Sequence, residues 1–393
     1  MFALAEGLCR AGHEVTLYYT SFFGQVFSPK PIDGLHCYSS GLFDPVFNYS
    51  APSLPIFDLS IEAQMQYLIN DIFTPFQPQI SQAAYRLCQE NDVVIGVAML
   101  YQLICMAEKY KVPFISYQVD SVYVPSEGNA KIWLDDWIEK NWEPIVNPYR
   151  ASLGLSSVTD LRRHFYPSKL LNLLAYSPML EPKKTYWGDT FEVCGYLHGT
   201  QLTAIDDLEL KAFIDAGSPP IFISMGSMAF YEPDITVLRS MLLKAVELAG
   251  CRAIIQLGHA AQQQGKLNDN VYVVGYVAHE AVLPHCSGVV HHGGSGTVHT
   301  ALKYACPSIT IGYAFDQFFW GEKLVGLGVS PALLERRLFD EIQLAGDLRK
   351  LMCYQKYKDA AQYMRLKMKR EDGVKKAVRC IEAVCERIKD KVN

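Results

Sequence analysis

Val289-Val290-His291-His292-Gly293-Gly294-Ser295-Gly296-Thr297 runs from β-branched residues through a glycine-rich turn into a helical pattern spanning Thr297 to Tyr304. β-Branched residues favour an extended chain, and glycines permit the sharp turn that follows. A strand that enters a helix in this way presents the helix N-terminus, where unpaired backbone N–H groups and a partial positive charge suit a phosphate. In an extended chain His291 and His292 point to opposite faces. They are therefore not a shared metal site, and one of the pair packs structurally. His292 is placed to donate a hydrogen bond to a phosphate oxygen. Thr297 is placed to cap the helix or to bond the same phosphate. The alternative is a glycine turn that only packs a helix onto a strand.

Outward from this stretch the second half is regular. Ile221 to Met225, Ala253 to Gln256, Val271 to Val274, Val289 to His291 and Ile309 to Ile311 are short β-rich runs. Helical patterns separate most of them, as at Asp234 to Leu248. Strands alternating with helices imply an α/β fold with a doubly wound parallel sheet covered on both faces. The first half holds a similar unit: a strand from Asp92 to Val97, a helix from Met99 to Lys109 and a strand from Phe114 to Tyr117. The polar region from Gly199 to Pro220 reads as the linker. Residues 1–198, 199–370 and a terminal helix from 371 to 393 are the expected domains. Phe2 to Arg10 is a helix stopped by Gly12 and followed by a strand, Val15 to Tyr19. A helix needs an existing sheet edge to pack on, so a first strand is expected to be missing.

Two further turns carry chemistry. Phe222-Ile223-Ser224-Met225-Gly226-Ser227-Met228 is a strand entering a Gly-Ser turn, where Ser227 reaches for phosphate. Such turns sit at the carboxyl ends of strands, the ligand-binding edge of a doubly wound sheet. Asp316-Gln317 follows the strand Ile309 to Ile311 and pairs a carboxylate with an amide, as sugar hydroxyls require. An N-cap role for Asp316 is compatible with that.

Composition narrows the classes. The net charge is -5 and no long basic run appears, so nucleic acid is not an expected partner. Eleven cysteines form no CxxC pair, which points to reduced thiols in the cytoplasm. The longest apolar stretch, Val93 to Ala107, is shorter than the ~18 residues of a membrane span. No G-x-G-x-x-G follows an early strand, which disfavours a dinucleotide oxidoreductase. No Asp-x-Asp pair suggests a metal, and Asp135-Asp136 and Asp206-Asp207 are expected to face solvent.

His292-Gly293-Gly294-Ser295-Gly296-Thr297, then Asp316-Gln317 with Phe319-Trp320-Gly321, resembles the donor signature of glycosyltransferase family 1. The likeness is closest to the branch of sterol 3-beta-glucosyltransferases and bacterial macrolide and glycopeptide transferases. Gly12-His13-Glu14-Val15, Gly275-Tyr276-Val277 with His279, and Glu371-Asp372-Gly373-Val374 extend it. The resemblance implies two Rossmann-like domains (the GT-B fold), with the last helix crossing back to the N-terminal domain. It implies inverting, metal-independent transfer of a hexose from a UDP-sugar, foremost UDP-glucose as co-substrate without a further cofactor, to a lipophilic acceptor.

It also implies site roles. Gly226 and Ser227 lie near the diphosphate. Tyr276 and Val277 lie beside the base. His292, Gly294, Ser295, Gly296 and Thr297 hold the diphosphate, and Asp316 and Gln317 bind the sugar. The family's catalytic base falls upstream of Met1; Asp120 is a secondary candidate. Thr300 stands where some relatives carry a ribose-binding glutamate. Phe43, Phe47, Tyr49, Trp133, Trp137 and Trp142 either line the acceptor site or pack in the core, and a peripheral membrane contact is a third role for them. A nucleotide-binding accessory protein of the same fold, lacking the base, is the alternative function.

Overall fold

The computed structural model describes residues 1–19, 31–39, 59–97, 99–127, 133–199, 204–232, 234–258, 264–314 and 316–392. The chain divides into two compact units. One comprises Met1–Asn48, Gln66–Gly199 and Glu371–Asn393; the other comprises Tyr49–Met65 and Thr200–Arg370.

The first unit opens with helix α1 (Phe2–Arg10), whose Ala3, Leu4, Ala5 and Leu8 are buried. Gly12, with φ +92°, turns the chain into β1 (Val15–Tyr19). This strand pairs in parallel with β2 (Leu35–Ser39), Val15 opposite Leu35. A second parallel sheet has the order β3 (Val94–Val97), β4 (Phe114–Gln118), β5 (Asn172–Leu174) and β6 (Phe191–Val193). Helix α2 (Tyr101–Tyr110) connects β3 to β4. Leu4 and Leu8 pack with Ile115, Tyr117 and Leu173, while Val15 and Ile95 join the same cluster. One core therefore spans both sheets. Each such aliphatic side chain contributes about 1.5–3 kcal/mol on burial.

The second unit is built on seven strands. Their order is β13 (Leu333–Glu335), β12 (Ser308–Gly312), β11 (Gly288–His291), β7 (Ile221–Ser224), β8 (Ala253–Gln256), β10 (Val271–Val274) and β9 (Gly265–Lys266). All pairs are parallel except β10 with β9. Alternate residues feed two cores. Ile223, Ile255, Val273 and Val290 meet Leu238 and Leu242 of α3 (Ile235–Ala249) on one face. Phe222, Ile254, Tyr272 and Val289 meet Phe213, Leu283 and Ala301 on the other. That two-sided burial is why these strands read as continuous apolar runs. The remaining helices of this unit named below are α4 (Ser295–Lys303), α5 (Asp316–Gly326), α6 (Glu341–Cys353) and α7 (Gln355–Met368). Helix α8 (Gly373–Val392) returns to the first unit, where Ala377, Ile381 and Val384 share the core beneath α1.

Two expectations need correction, and one open alternative is decided. The linker read from Gly199 to Pro220 contains a helix, Leu208–Asp215, whose Leu210, Phe213 and Ile214 are buried in the second unit. The polar residues that suggested a linker are partly its cap: Asp207 accepts from the N–H groups of Glu209 and Leu210 and from the Tyr272 hydroxyl. Asp135 does not face solvent, because it is buried against Arg162. Trp137 and Trp142 are core residues, the latter edge-on to Tyr101 at 6.1 Å. Phe43, Phe47 and Tyr49 and the side chain of Trp133 lie outside the described residues. Among the described residues no helix is long and apolar enough to cross a membrane.

Candidate functional site

Strand order locates the site. From β7 the chain proceeds to β8 and β10 on one side, then to β11, β12 and β13 on the other. The switch point therefore lies between β7 and β11, and ligands bind beyond the carboxyl ends of strands at such a point. Ser224 and His291 are partners in register, so the two glycine turns leave the sheet side by side.

The turn after β11 feeds α4. Gly294 is its N-cap, with φ -62° and ψ 140°, and no side chain caps it. Intrahelical bonding begins with the Val298 N–H to the Gly294 carbonyl at 3.1 Å. The amides of Ser295, Gly296 and Thr297 precede that bond, at the positive end of the helix dipole. The helix starts two residues earlier than its sequence pattern suggested, so Thr297 lies within its first turn and is not the cap. Thr300 donates to the Gly296 carbonyl at 2.8 Å.

His292 is wedged between the two turns. A Cβ on Gly226 would lie 2.7 Å from its Cε1, and one on Gly294 would lie 2.4 Å from its Nε2. No residue larger than glycine fits at either contact without moving the ring. Its Nδ1 is buried and has no partner among the described residues. His291 points the other way and is fully buried, its Nδ1 accepting the Gly293 N–H at 2.9 Å. Burial, and then the nearby His279, push the His292 pKa down to about 4. Burial alone takes His279 to about 4; burial followed by the other two imidazoles takes His291 to about 3. At neutral pH the imidazole beside the α4 amides is therefore uncharged, a hydrogen-bonding group and not a fixed cation.

Gln256, buried at the end of β8, was not singled out in the sequence. Its Nε2 donates to Ser224 Oγ at 3.2 Å, and its Oε1 accepts the Val277 N–H at 2.8 Å. The Gly226 N–H also reaches Ser224 Oγ, at 3.3 Å. One amide thus fixes the ends of β7 and β8 and the turn after β10. A polar residue closing an apolar strand was the available signal. Val277 spends its N–H inside the protein, while Tyr276 beside it is 60% exposed.

Asp316 opens α5 and is half-buried. Gln317 is buried, and its Oε1 accepts from the Tyr313 N–H at 2.9 Å and the Ala314 N–H at 3.4 Å. Its acceptor side is spent locally, which leaves amide protons to offer. Nε2 also lies 3.3 Å from the Met228 sulfur, which draws the β7 turn toward α5. Ser227 is half-buried in that turn. Below it Glu232 accepts from the Tyr313 hydroxyl at 2.9 Å and from Arg336 Nε at 3.0 Å. The loops after β7, β12 and β13 are tied together by that cluster.

In the first unit Asp120 sits just past the carboxyl end of β4, buried, and accepts the Val122 N–H at 2.8 Å. Burial raises its pKa to about 6 against the lowering by that bond. Among the described residues no three His, Cys, Asp or Glu side chains converge as a metal-ligand set.

Residues 240–383 match the family profile described as erythromycin biosynthesis protein CIII-like, C-terminal domain. A sterol 3-beta-glucosyltransferase of Arabidopsis thaliana (UGT80A2) is 34% identical over 206 residues, 52% of this chain and 32% of that protein. The chain thus spans about a third of that relative's length. A glycosyltransferase of Mycobacterium leprae with no assigned substrate is 30% identical over 318 residues, 76% of this chain and 74% of that protein. The solved structure of CalG4, the calicheamicin glycosyltransferase, superposes with a TM-score of 0.71 at 15% identity, covering 98% of this chain and 94% of that one. At that identity the superposition speaks for the fold, while the longer sequence matches carry the kinship. The chain belongs to glycosyltransferase family 1 and has the GT-B fold.

Proposed function

We propose that the chain transfers a hexose from a UDP-sugar-type donor to a hydroxyl of a lipophilic, sterol- or polyketide-like acceptor, with inversion and without a metal. One observation carries the reading: an uncapped helix N-terminus, with His292 beside it, at the switch point of the sheet. In the transfer, the acceptor hydroxyl oxygen bonds to the anomeric carbon on the face away from the diphosphate, and its proton passes to solvent water. The bond from that carbon to the phosphate oxygen breaks, and its electron pair leaves with the diphosphate. Charge then gathers where the amides of Ser295, Gly296 and Thr297 and the imidazole of His292 converge. Each preorganised donor of this kind is worth about 3 kcal/mol of barrier. Asp316 and the Gln317 amide protons serve the sugar hydroxyls, and the exposed Tyr276 ring serves the base. Glucose is the first choice of sugar, by the name of the plant relative, and UDP-glucose is accordingly the first co-substrate to try. All eleven cysteines are free thiols, which suits a cytoplasmic enzyme.

The test is a donor panel of UDP-glucose, UDP-galactose and TDP-glucose against sterols and macrolide aglycones, with products identified by mass spectrometry and anomeric configuration by NMR. A glycoside of inverted configuration, formed in the presence of a chelator, is expected. Donor binding with no product on any acceptor would leave the accessory-protein reading in its place.

A further inference from the structure

Helix α7 has two faces. Tyr357, Ala361, Met364 and Met368 are buried and form one stripe, and the helix packs on α4. The opposite face belongs to neither core of the second unit. Leu366 and Tyr363 stand on it at 60% and 58% exposure, and Tyr354, just before the helix, is 53% exposed. Soluble proteins scatter single apolar residues over their surfaces, so exposure alone decides nothing. The charge around these three does. From Lys356 to Arg370 there are six Lys or Arg and one acid, Asp359, in a chain whose net charge is -5. Among the described residues no ion pair takes up any of the six. Lys367 lies over the Tyr363 ring at 5.3 Å, and Lys356 over the Tyr354 ring at 5.8 Å. In both contacts the ammonium nitrogen lies over the ring face, and Lys356 also stands 4.8 Å from the centre of the Tyr357 ring.

We propose that this face of α7 docks on the surface of an anionic lipid bilayer. Two chemistries coincide there. Basic residues run along the helix, with Leu366 and Tyr363 among them and Tyr354 just before its first turn, an arrangement that suits a helix lying in the headgroup plane. Tyrosine is enriched at that depth because its ring is apolar and its hydroxyl wet. A nucleic-acid duplex would use the charge but would give Leu366 nothing to bury against. The inference does not rest on the transfer reaction, since it concerns only the outer face of α7.

The test is co-sedimentation with vesicles of phosphatidylcholine alone or with ~30% phosphatidylserine, at ~0.1 M and ~0.5 M salt. Binding to the mixed vesicles, absent from the neutral ones and weakened by salt, is expected. The triple variant K356Q/K367Q/K369Q should reduce it by ~100-fold, since each basic residue near such a surface contributes about fivefold. The pair Y363S/L366S should reduce it by about tenfold at unchanged charge. Circular dichroism melts check that both variants fold. Equal binding to neutral and anionic vesicles would overturn the proposal. So would retention on duplex DNA as strong as on the mixed vesicles and unaffected by Y363S/L366S, which would show a general polyanion site.

Discussion

The His292 ring lies so close to Gly226 that a β-carbon on the glycine would stand 2.7 Å from its Cε1. Gly226 also has φ +54°, a region costly for residues with a side chain. Crowding and backbone strain are thus superimposed at this position. They separate at Gly294, whose φ of -62° suits any residue but whose β-carbon would meet His292 Nε2 at 2.4 Å. Gly226→Ala should lower both stability, by about 1–2 kcal/mol, and UDP affinity. Gly294→Ala should lower UDP affinity by tenfold or more with a smaller change in melting temperature. Calorimetry and thermal melts on the two variants read the difference. Unchanged UDP binding in Gly294→Ala would show that the ring's position does not matter.

His292→Ala removes the imidazole and leaves the two glycines in place. The expected loss is ~1.5–3 kcal/mol of donor binding, the range for a buried hydrogen bond to a charged partner. Because the free imidazole is neutral, the lower half of that range applies above pH 7. His292→Gln, which keeps a donor, should recover part of it. Titration calorimetry that finds wild-type affinity in His292→Ala would remove His292 from the donor site.

Much of this was legible in the sequence, and the reasons are local. Ala253–Gln256 and Val271–Val274 are strands buried on both faces, so their composition alone marks them. The glycine turn after His291 was legible because few residues other than glycine permit that path. Leu333–Glu335 was not, being a three-residue edge strand whose pairing with β12 is a long-range fact. Gln256 and the Glu232–Tyr313–Arg336 cluster escaped for the same reason. Each bonds to residues distant in sequence, and nothing at Glu232 itself announces a partner 104 positions away. Asp135 was misread because an adjacent acidic pair is usually solvated, and its counter-ion, Arg162, lies 27 residues on.

Stability should fall steeply in mild acid, and the sign follows from three imidazoles. His279, His291 and His292 have pKa values near 4, 3 and 4, below the ordinary 6.5. The unfolded chain binds protons that the native state refuses. Their contribution is therefore complete above pH 6.5 and is lost as the pH falls toward 4. Asp120 has the opposite sign: raised to about 6 from 3.8, its contribution is complete below 3.8 and lost as pH rises through 6. Three groups against one make the acid limb dominate, with up to about 1.4 kcal/mol per pH unit from each histidine. Urea titrations between pH 4.5 and 7 read the slope. His291→Asn, which retains an acceptor for the Gly293 N–H, should flatten it most. A slope untouched by substituting any of the three would assign acid unfolding elsewhere.

The largest stability effect outside the donor site should come from Asp135. Its carboxylate meets Arg162, both side chains being at most 3% exposed. The guanidinium also donates to the carbonyls of Val124 at 2.9 Å and Val122 at 3.2 Å. The pair therefore holds the loop that follows Asp120, at the carboxyl end of β4. Removing one partner strands a buried charge, so Asp135→Ala should cost ~3–5 kcal/mol. The exposed Lys244–Glu247 pair, a single contact at 2.9 Å, should give at most ~1 kcal/mol, because water already solvates both charges. If the cost arises from the stranded charge, it must be non-additive. Arg162→Met in the Asp135→Ala background should restore stability instead of lowering it further, though the freed carbonyls of Val122 and Val124 limit the recovery. Chemical denaturation of the two single variants and the double variant closes the cycle. Additivity within about 0.5 kcal/mol would show that Arg162 holds the loop through its carbonyl bonds alone, and that the carboxylate is incidental.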